Sequence, residues 1–516
     1  MQNALGSIAG SGWSRRHPKG SATGAPLNLG RRPSMWQSQT CRWLLAYLVL
    51  PNALFWVFGI SPVAIPRAMV NVDYLVAGWA ACYLSASLAI LFFLFAFLVD
   101  VLTSTAPFYY FSQHDLLNSA RFLDQLPWAY TVGAAAVLFT VGLVVAMLIS
   151  WLAGPVSVEN RPRVSFTLGA VCLALSVHGL SRWSHPDSAD EHRLATSACR
   201  RLLVTAWLAE ASDQAPAALI PVPSGTAALR QALLENSPRM PPSRQRNIVL
   251  VLVESYGLMN DSVSAARLET PFHVPALRDK YEIQTGTVRF RGATVAGEFR
   301  TLCGLQMEIA SSQLSRLVSS QCLPKLLEKQ GYHTTAIHGF RGIMFDRKWW
   351  YRDLGFEDAL FLEDLRKLPE MKLCDGIFPG ICDDDIARLL GEKLAAPGDQ
   401  RPQFLYWLTL NSHLPIKASA SNSTLFACGA AGAANPDFTV CNWMAQIYQL
   451  NAALAQLCAN SDLPPTEFII VGDHAPPFLS NFRRNQYSQT VVPFVHLVPR
   501  ISTKRRVSSP RILSMD

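Results

Sequence analysis

At 516 residues the chain is long enough for two or more domains, and its 50% apolar content and mean hydropathy of +0.17 exclude an ordinary soluble enzyme. The formal net charge of +8 is concentrated in an N-terminal arm and in the tail Lys504-Arg505-Arg506. Both read as solvated or membrane-proximal basic segments, and with no aromatic-interleaved basic motif the composition argues against a nucleic-acid partner.

Residues 1–40 are rich in Gly, Ser, Pro and Arg and predict a disordered basic arm. A helical membrane domain is expected over 41–181. Three stretches in it, Cys41 to Ile60, Leu75 to Leu102 and Trp128 to Leu152, are long and nearly uncharged, each able to cross about 30 Å of hydrocarbon as a helix. A fourth, Phe166 to Leu180, is marginal in length, and Ala106 to Leu126, with Phe108-Tyr109-Tyr110-Phe111, reads as a re-entrant or additional span. The first apolar stretch starts too late for a cleavable signal peptide. Arg15, Arg16, Lys19, Arg31, Arg32 and Arg42 flank it and predict a cytoplasmic N-terminus. Three or five spans then place the C-terminal part of the chain outside the cytoplasm, and four place it inside.

Residues 182–246 have the composition of a connector, with a helix-forming stretch from Ala189 to Ala211 and Pro/Ser clusters at Pro221 to Ser224 and Pro238 to Ser243. From 247 to 500 short apolar runs alternate with helical segments. The expected strands are Ile248 to Val253, Thr334 to His338, Gln403 to Thr409 and Glu467 to Val471; the expected helices are Cys322 to Gln330, Asp383 to Leu394 and Trp443 to Ala459. That alternation predicts an α/β domain with a mainly parallel sheet covered by helices on both faces. Residues 501–516 form a basic tail.

In such sheets chemistry gathers at the carboxyl ends of the strands. Glu254, His338, the turn Asn411-Ser412-His413 and the pair Asp473-His474 all occupy such ends. Carboxylates and an imidazole without thiolates form a ligand set for a catalytic divalent metal. Asp383, Asp384 and Asp385 are read chiefly as acids complementing a helix N-terminus, with a second cation site as the alternative. Cys374 with Cys382, Cys428 with Cys441 and Cys303 with Cys322 suit loop-stapling disulfides in an oxidising compartment, although spacing does not define connectivity.

The ordered motifs Val-Glu-Ser at Glu254, Thr-x-x-x-Glu-Phe at Thr294, His338 followed by Arg347, Asn-Ser-His at His413 and Gly-Asp-His at Asp473 resemble the membrane-bound phosphoalkanol transferases of the alkaline phosphatase superfamily. That group includes lipoteichoic acid synthases, periplasmic-glucan phosphoglycerol transferases and lipid A phosphoethanolamine transferases. The resemblance implies an alkaline-phosphatase-like domain and a metal, Zn2+ or Mn2+, held by Glu254, Thr294, Asp473 and His474. Thr294 is the implied nucleophile, with Thr301 as the competing position. His413, His338, Arg347 and Phe345 are the implied substrate-binding residues. Two departures from the lipoteichoic pattern, Phe340 and Phe345, leave the head group open between phosphoethanolamine and phosphoglycerol.

The implied reaction takes a head group from a membrane phospholipid donor, through a phosphothreonine, to a hydroxyl of an envelope glycan or lipid. The implied setting is a bacterial inner membrane, multi-pass, with a periplasmic catalytic domain. An inactive scaffold of a surface-polysaccharide assembly is the alternative from another class. A sulfatase or phosphodiesterase is disfavoured, because Cys303-Gly304-Leu305-Gln306-Met307 lacks the Pro and Arg that formylglycine formation requires.

Overall fold

The computed structural model describes residues 38–60, 68–181, 194–212, 220–221, 230, 246–306, 312–396, 401–416, 426–430 and 433–500. Most of the N-terminal arm, the basic tail and most of the Pro/Ser-rich connector therefore lie outside the described residues.

Among the described residues three helical segments are long and apolar enough to cross a membrane: Gln39–Val57, Ala86–Tyr109 and Trp128–Ala153. The second differs from the expected Leu75 to Leu102. A helix over Asp73–Ala81 stops, and Ser85 starts a new one by accepting a hydrogen bond from the Leu88 amide at 3.4 Å. The marginal fourth stretch lies in a 21-residue helix, Arg161–Ser181, that does not join the three candidates. The expected helix at Ala189 to Ala211 is seen as Ala198–Ser212, with residues 189–193 outside the description.

The segment read as re-entrant is not a span. It folds as a 3-10 turn over Ala106–Tyr109, a helix over Gln113–Ser119 and a second 3-10 stretch over Ala120–Gln125. Tyr110, in the left-handed region at φ 58°, breaks the chain direction at the end of the second span. Ser112 and Asp115 close a capping box on the next helix, so these polar groups are satisfied without spanning hydrocarbon.

The C-terminal part is built on a seven-stranded sheet. Its strands are β1 (Asn247–Val253), β2 (Tyr281–Arg289), β3 (His333–His338), β4 (Asp358–Leu360), β5 (Gln403–Leu408), β6 (Thr466–Gly472) and β7 (Val491–Pro499), in the order β2-β7-β6-β1-β5-β3-β4. The pairs β6/β1, β1/β5, β5/β3 and β3/β4 are parallel; β7 pairs antiparallel with β6 and β2. Every residue of β1 and β6 is buried, as expected for central strands covered on both faces. The edge strand β2, Tyr-Glu-Ile-Gln-Thr-Gly-Thr-Val-Arg, is largely solvated and lacks the apolar run of the others, and β7 carries two prolines.

The flanking helices include Thr294–Cys303, Leu323–Glu328, Arg347–Asp353, Asp383–Ala395 and Phe438–Ala459. The last begins five residues before the expected Trp443, because Asp437 accepts from the amides of Thr439 and Val440 at 2.9 and 3.0 Å. Trp350, Trp407 and Trp443 are fully buried in the shared core.

Disulfides join Cys303 to Cys322, Cys374 to Cys382 and Cys428 to Cys441. The first closes a loop of 19 residues in sequence, a length at which a crosslink is worth about 3 kcal/mol through the unfolded chain. The double variant Cys303→Ala/Cys322→Ala is expected to lose about that much stability, read as a lower denaturant midpoint for the C-terminal part of the full chain.

Candidate active site at the carboxyl ends of the strands

β1 and β6 lie side by side and parallel, so Glu254 and Asp473, each one residue past its strand, emerge next to one another. Their placement is reinforced by the backbone. Ser255 adopts φ 55°, its amide donates to Asp473 Oδ1 at 2.7 Å, and its hydroxyl donates to Glu254 Oε1 at 2.8 Å. The His474 amide donates to the same Asp473 Oδ1 at 2.6 Å, and the Glu254 amide to Thr409 Oγ1 at 2.9 Å.

Thr294 is brought in by the helix Thr294–Cys303, which runs close over Asp473. A Cβ on Gly297 would stand 3.0 Å from the Asp473 Cβ, so glycine is what allows this approach. Arg300 fixes the helix from its far turn, donating to the carbonyls of Asp473 and Gly472 at 2.9 and 2.7 Å. Thr294 Oγ1 then lies 3.0 Å from Glu254 Oε2 and 3.3 Å from His474 Nε2. Ala293 precedes the helix and offers no side-chain cap, leaving the first amides directed at whatever binds beside Thr294.

Glu254, Asp473 and His474 present ligand atoms that all lie within 4.8 Å of one another. His474 Nε2 is 3.3 Å from Asp473 Oδ2 and 3.6 Å from Glu254 Oε1. Its Nδ1–H donates to the Ala475 carbonyl at 2.8 Å, which turns the Nε2 lone pair toward the carboxylates. Asp473 Oδ2 is buried and has no hydrogen-bond partner among the described residues.

The electrostatics agree with a cation site. Burial, added to the neighbouring Glu254 charge, drives the Asp473 carboxyl well above its ordinary range. Burial pushes Glu254 the same way, but His413, His474 and the hydroxyls of Ser255 and Thr294 outweigh it and hold that carboxyl low. Burial lowers His474 and so favours the neutral imidazole that a metal requires. Two buried carboxylates sharing one imidazole, one of them with an orphaned oxygen, fit a divalent cation by donor chemistry as well as by position.

Thr301 lies two turns further along the same helix, buried and away from this cluster. His413, reached through the Leu410-to-His413 turn, lines the pocket over Thr294 together with Glu254, His474, His338, Phe345 and Arg347. Its Nδ1–H donates to the Leu414 carbonyl at 2.7 Å, and Phe378 packs edge-on at 4.5 Å. His338 donates from Nδ1 to the Leu408 carbonyl at 3.0 Å; burial, with help from the Arg347 charge, lowers it to about 3 and keeps it neutral.

Arg347 does not pair with Asp353 or Glu357, the acids that follow it in sequence; those pair with Arg316 and Arg401. Buried Arg347 instead forms a two-pronged pair with Glu298, at 3.0 Å from Nε and 2.8 Å from Nη2, and its guanidinium lies 5.3 Å from the Phe345 ring. Glu298 also accepts from the hydroxyls of Tyr351 and Tyr406 at 2.5 and 3.3 Å. Its position in the Thr-x-x-x-Glu-Phe motif was the signal for this role, which sequence reasoning left unassigned. Asp383 begins its helix, as an acid complementing the dipole should. Its carboxylate also accepts from the Leu410 and Asn411 amides at 3.1 and 2.8 Å and so anchors the turn that carries His413.

One wall of the pocket comes from the end of the second candidate span and the segment that follows it. Tyr109, Phe111, Asp115 and Asn118 line it, and the Tyr110 ring lies 5.3 Å from His474. The aromatic run Phe108 to Phe111 was the visible trace of this wall in the sequence, but apolarity alone suggested a membrane location for it.

The family model described as sulfatase matches residues 246–516. No curated protein matches the chain in sequence. Among solved structures, the integral membrane lipooligosaccharide phosphoethanolamine transferase A of Neisseria meningitidis shares the fold across both parts, with a TM-score of 0.55 at 15% identity, over 89% of this chain and 88% of that one. Lipoteichoic acid synthase LtaP of Listeria monocytogenes overlaps at a TM-score of 0.34 and 14% identity, over 50% of this chain and 66% of its own. Phosphoglycerol transferase GacH of Streptococcus pyogenes overlaps at 0.35 and 17%, over 52% and 74%.

The Glu298–Arg347 pair predicts a non-additive pair of mutations. Arg347→Met leaves a buried carboxylate unpaired and is expected to cost about 3–5 kcal/mol. Adding Glu298→Gln should recover part of that loss, which a double-mutant cycle on urea unfolding would read.

Proposed function

The chain belongs to the sulfatase family, and within it we propose a metal-dependent transferase that moves a phosphoalkanol head group from a membrane phospholipid to a hydroxyl of an envelope glycan or lipid. The observation that carries this reading is the Thr294 hydroxyl, which touches both Glu254 and His474 at an uncapped helix N-terminus beside the orphaned oxygen of Asp473.

Glu254, Asp473, His474 and Thr294 would hold the cation, zinc or manganese, which when bound lowers the pKa of the threonine hydroxyl. Thr294 Oγ1 loses its proton and attacks the phosphorus of the donor. The bond from phosphorus to the diacylglycerol oxygen breaks, diacylglycerol leaves with a proton, and a phosphodiester to Thr294 remains. In the second step an acceptor hydroxyl attacks that phosphorus and the threonine oxygen leaves, restoring the hydroxyl. The first-turn amides and His413 face the phosphoryl oxygens. His338, neutral and with its Nδ1–H given to the Leu408 carbonyl, accepts at Nε2 a hydrogen bond from the head group.

Between the two head groups the lining supports phosphoethanolamine. Phe345, Phe378, Tyr109 and Phe111 with Asp115 surround the pocket, a lining suited to an ammonium, and Arg347 is already engaged by Glu298. Sulfate-ester hydrolysis through formylglycine finds no support, since Cys303 is held in a disulfide. An inactive scaffold would have no use for a buried carboxylate oxygen left without a partner.

The setting we propose is a bacterial inner membrane, multi-pass, with residues 247–500 as a periplasmic catalytic domain. The three candidate spans among the described residues, an odd number after a basic arm, support that side, and the three disulfides among them suit its oxidising chemistry.

Full-length protein incubated with phosphatidylethanolamine and phosphatidylglycerol without acceptor should acquire a head-group adduct on the peptide containing Thr294, seen by mass spectrometry. The adduct should be absent in Thr294→Ala and after chelation, and return with zinc or manganese. A metal-independent adduct, or one that persists in Thr294→Ala, would overturn the mechanism.

A further inference from the structure

We propose that Leu479 and Phe482, on the loop after the Asp473-His474 pair, form a foot by which the C-terminal domain seats itself in the surface of the lipid bilayer. The inference rests on the candidate spans and not on the transfer chemistry.

Both side chains are large, apolar and exposed, Leu479 by 46% and Phe482 by 60%, in a domain whose other apolar groups are mostly buried. Their position relative to the membrane is set by Arg484. Its Nη1 donates to the Phe108 carbonyl at 3.0 Å, and its guanidinium lies 5.3 Å from the Phe108 ring and 5.4 Å from Tyr110. Phe108 is the penultimate residue of the candidate span Ala86–Tyr109. Phe482 is two residues from Arg484 on the short helix Asn481–Arg484, so its Cα lies within about 8 Å of the Arg484 Cα. The loop is therefore bolted to the end of a membrane helix, at the level where hydrocarbon gives way to head groups.

Neighbouring groups share that level. Tyr109 and Trp128, at the end of one candidate span and the start of the next, are exposed by 41% and 75%, an arrangement that suits an interfacial aromatic belt. On the domain side, Arg483 pairs with Asp437 at 2.9 Å, which brings exposed Phe438 to the same edge. Exposed large apolar side chains held beside a span end by two arginines that bind the protein itself form the pattern of an interfacial anchor, with the apolar groups in the acyl boundary. The same loop carries Pro477 of the pocket lining, so seating the foot also holds the pocket mouth against the surface from which a lipid head group enters.

The test is photo-crosslinking of the full chain in phospholipid nanodiscs. A benzophenone-bearing phenylalanine replaces Phe482, or Leu479 in a second variant, and a control carries it at Ser461, exposed at the opposite end of the sheet before β6. Both foot positions are expected to give phospholipid adducts several-fold above the control. A lipid yield no higher than at position 461, or crosslinks to a second protein chain in place of lipid, would overturn the proposal. Neither result bears on adduct formation at Thr294.

Discussion

Glu254 and Asp473 are two carboxylates buried against one another, with the neutral imidazole of His474 between them and one oxygen without a hydrogen-bond partner among the described residues. Left alone, that arrangement is costly, and the upward drive on Asp473 is its electrostatic signature. A divalent cation converts the same repulsion into coordination. The surrounding fold can be understood as the frame that keeps these groups in place: adjacent parallel strands whose ends deliver the two acids, a residue after Glu254 in the left-handed region, and a glycine that lets a helix descend onto Asp473.

The helix that carries Thr294 is held at three levels. Thr294 meets the cluster at its first residue, Glu298 binds Arg347 and two tyrosines one turn later, and Arg300 ties the next turn to the end of β6. A hydroxyl positioned by three independent attachments has little freedom to lose on reaction, which is the preorganisation that displacement at phosphorus requires. The opposite wall is supplied by the juxtamembrane segment, so the pocket is complete only where the membrane part and the sheet domain meet.

Much of this was legible in the chain. The continuous apolar runs of β1, β5 and β6 identify central strands, and the polar residues that end them point to the site, because a buried strand must stop where chemistry begins. β2 and β7 were not legible: one is an edge strand with polar residues on its solvated positions, and the other contains prolines that count against a strand. The break at Ser85 was hidden because hydropathy averages over a helix cap. Arg347 and Glu298 are far apart in sequence, so their pairing depends on the packing of two helices that local patterns do not encode. The Phe108-to-Phe111 run shows the same limit of composition: Tyr109 and Phe111 line the pocket, a role that only tertiary position reveals.

The central claim is that the buried acid–imidazole cluster exists to hold a divalent cation. It is tested most directly by elemental analysis of the purified full chain after equilibration with zinc and removal of unbound metal, compared with Asp473→Asn. The account predicts a single metal ion per chain in the wild type and its loss in the variant, with the fold retained by circular dichroism. A wild-type protein that retains no metal, or a variant that retains as much, would contradict it.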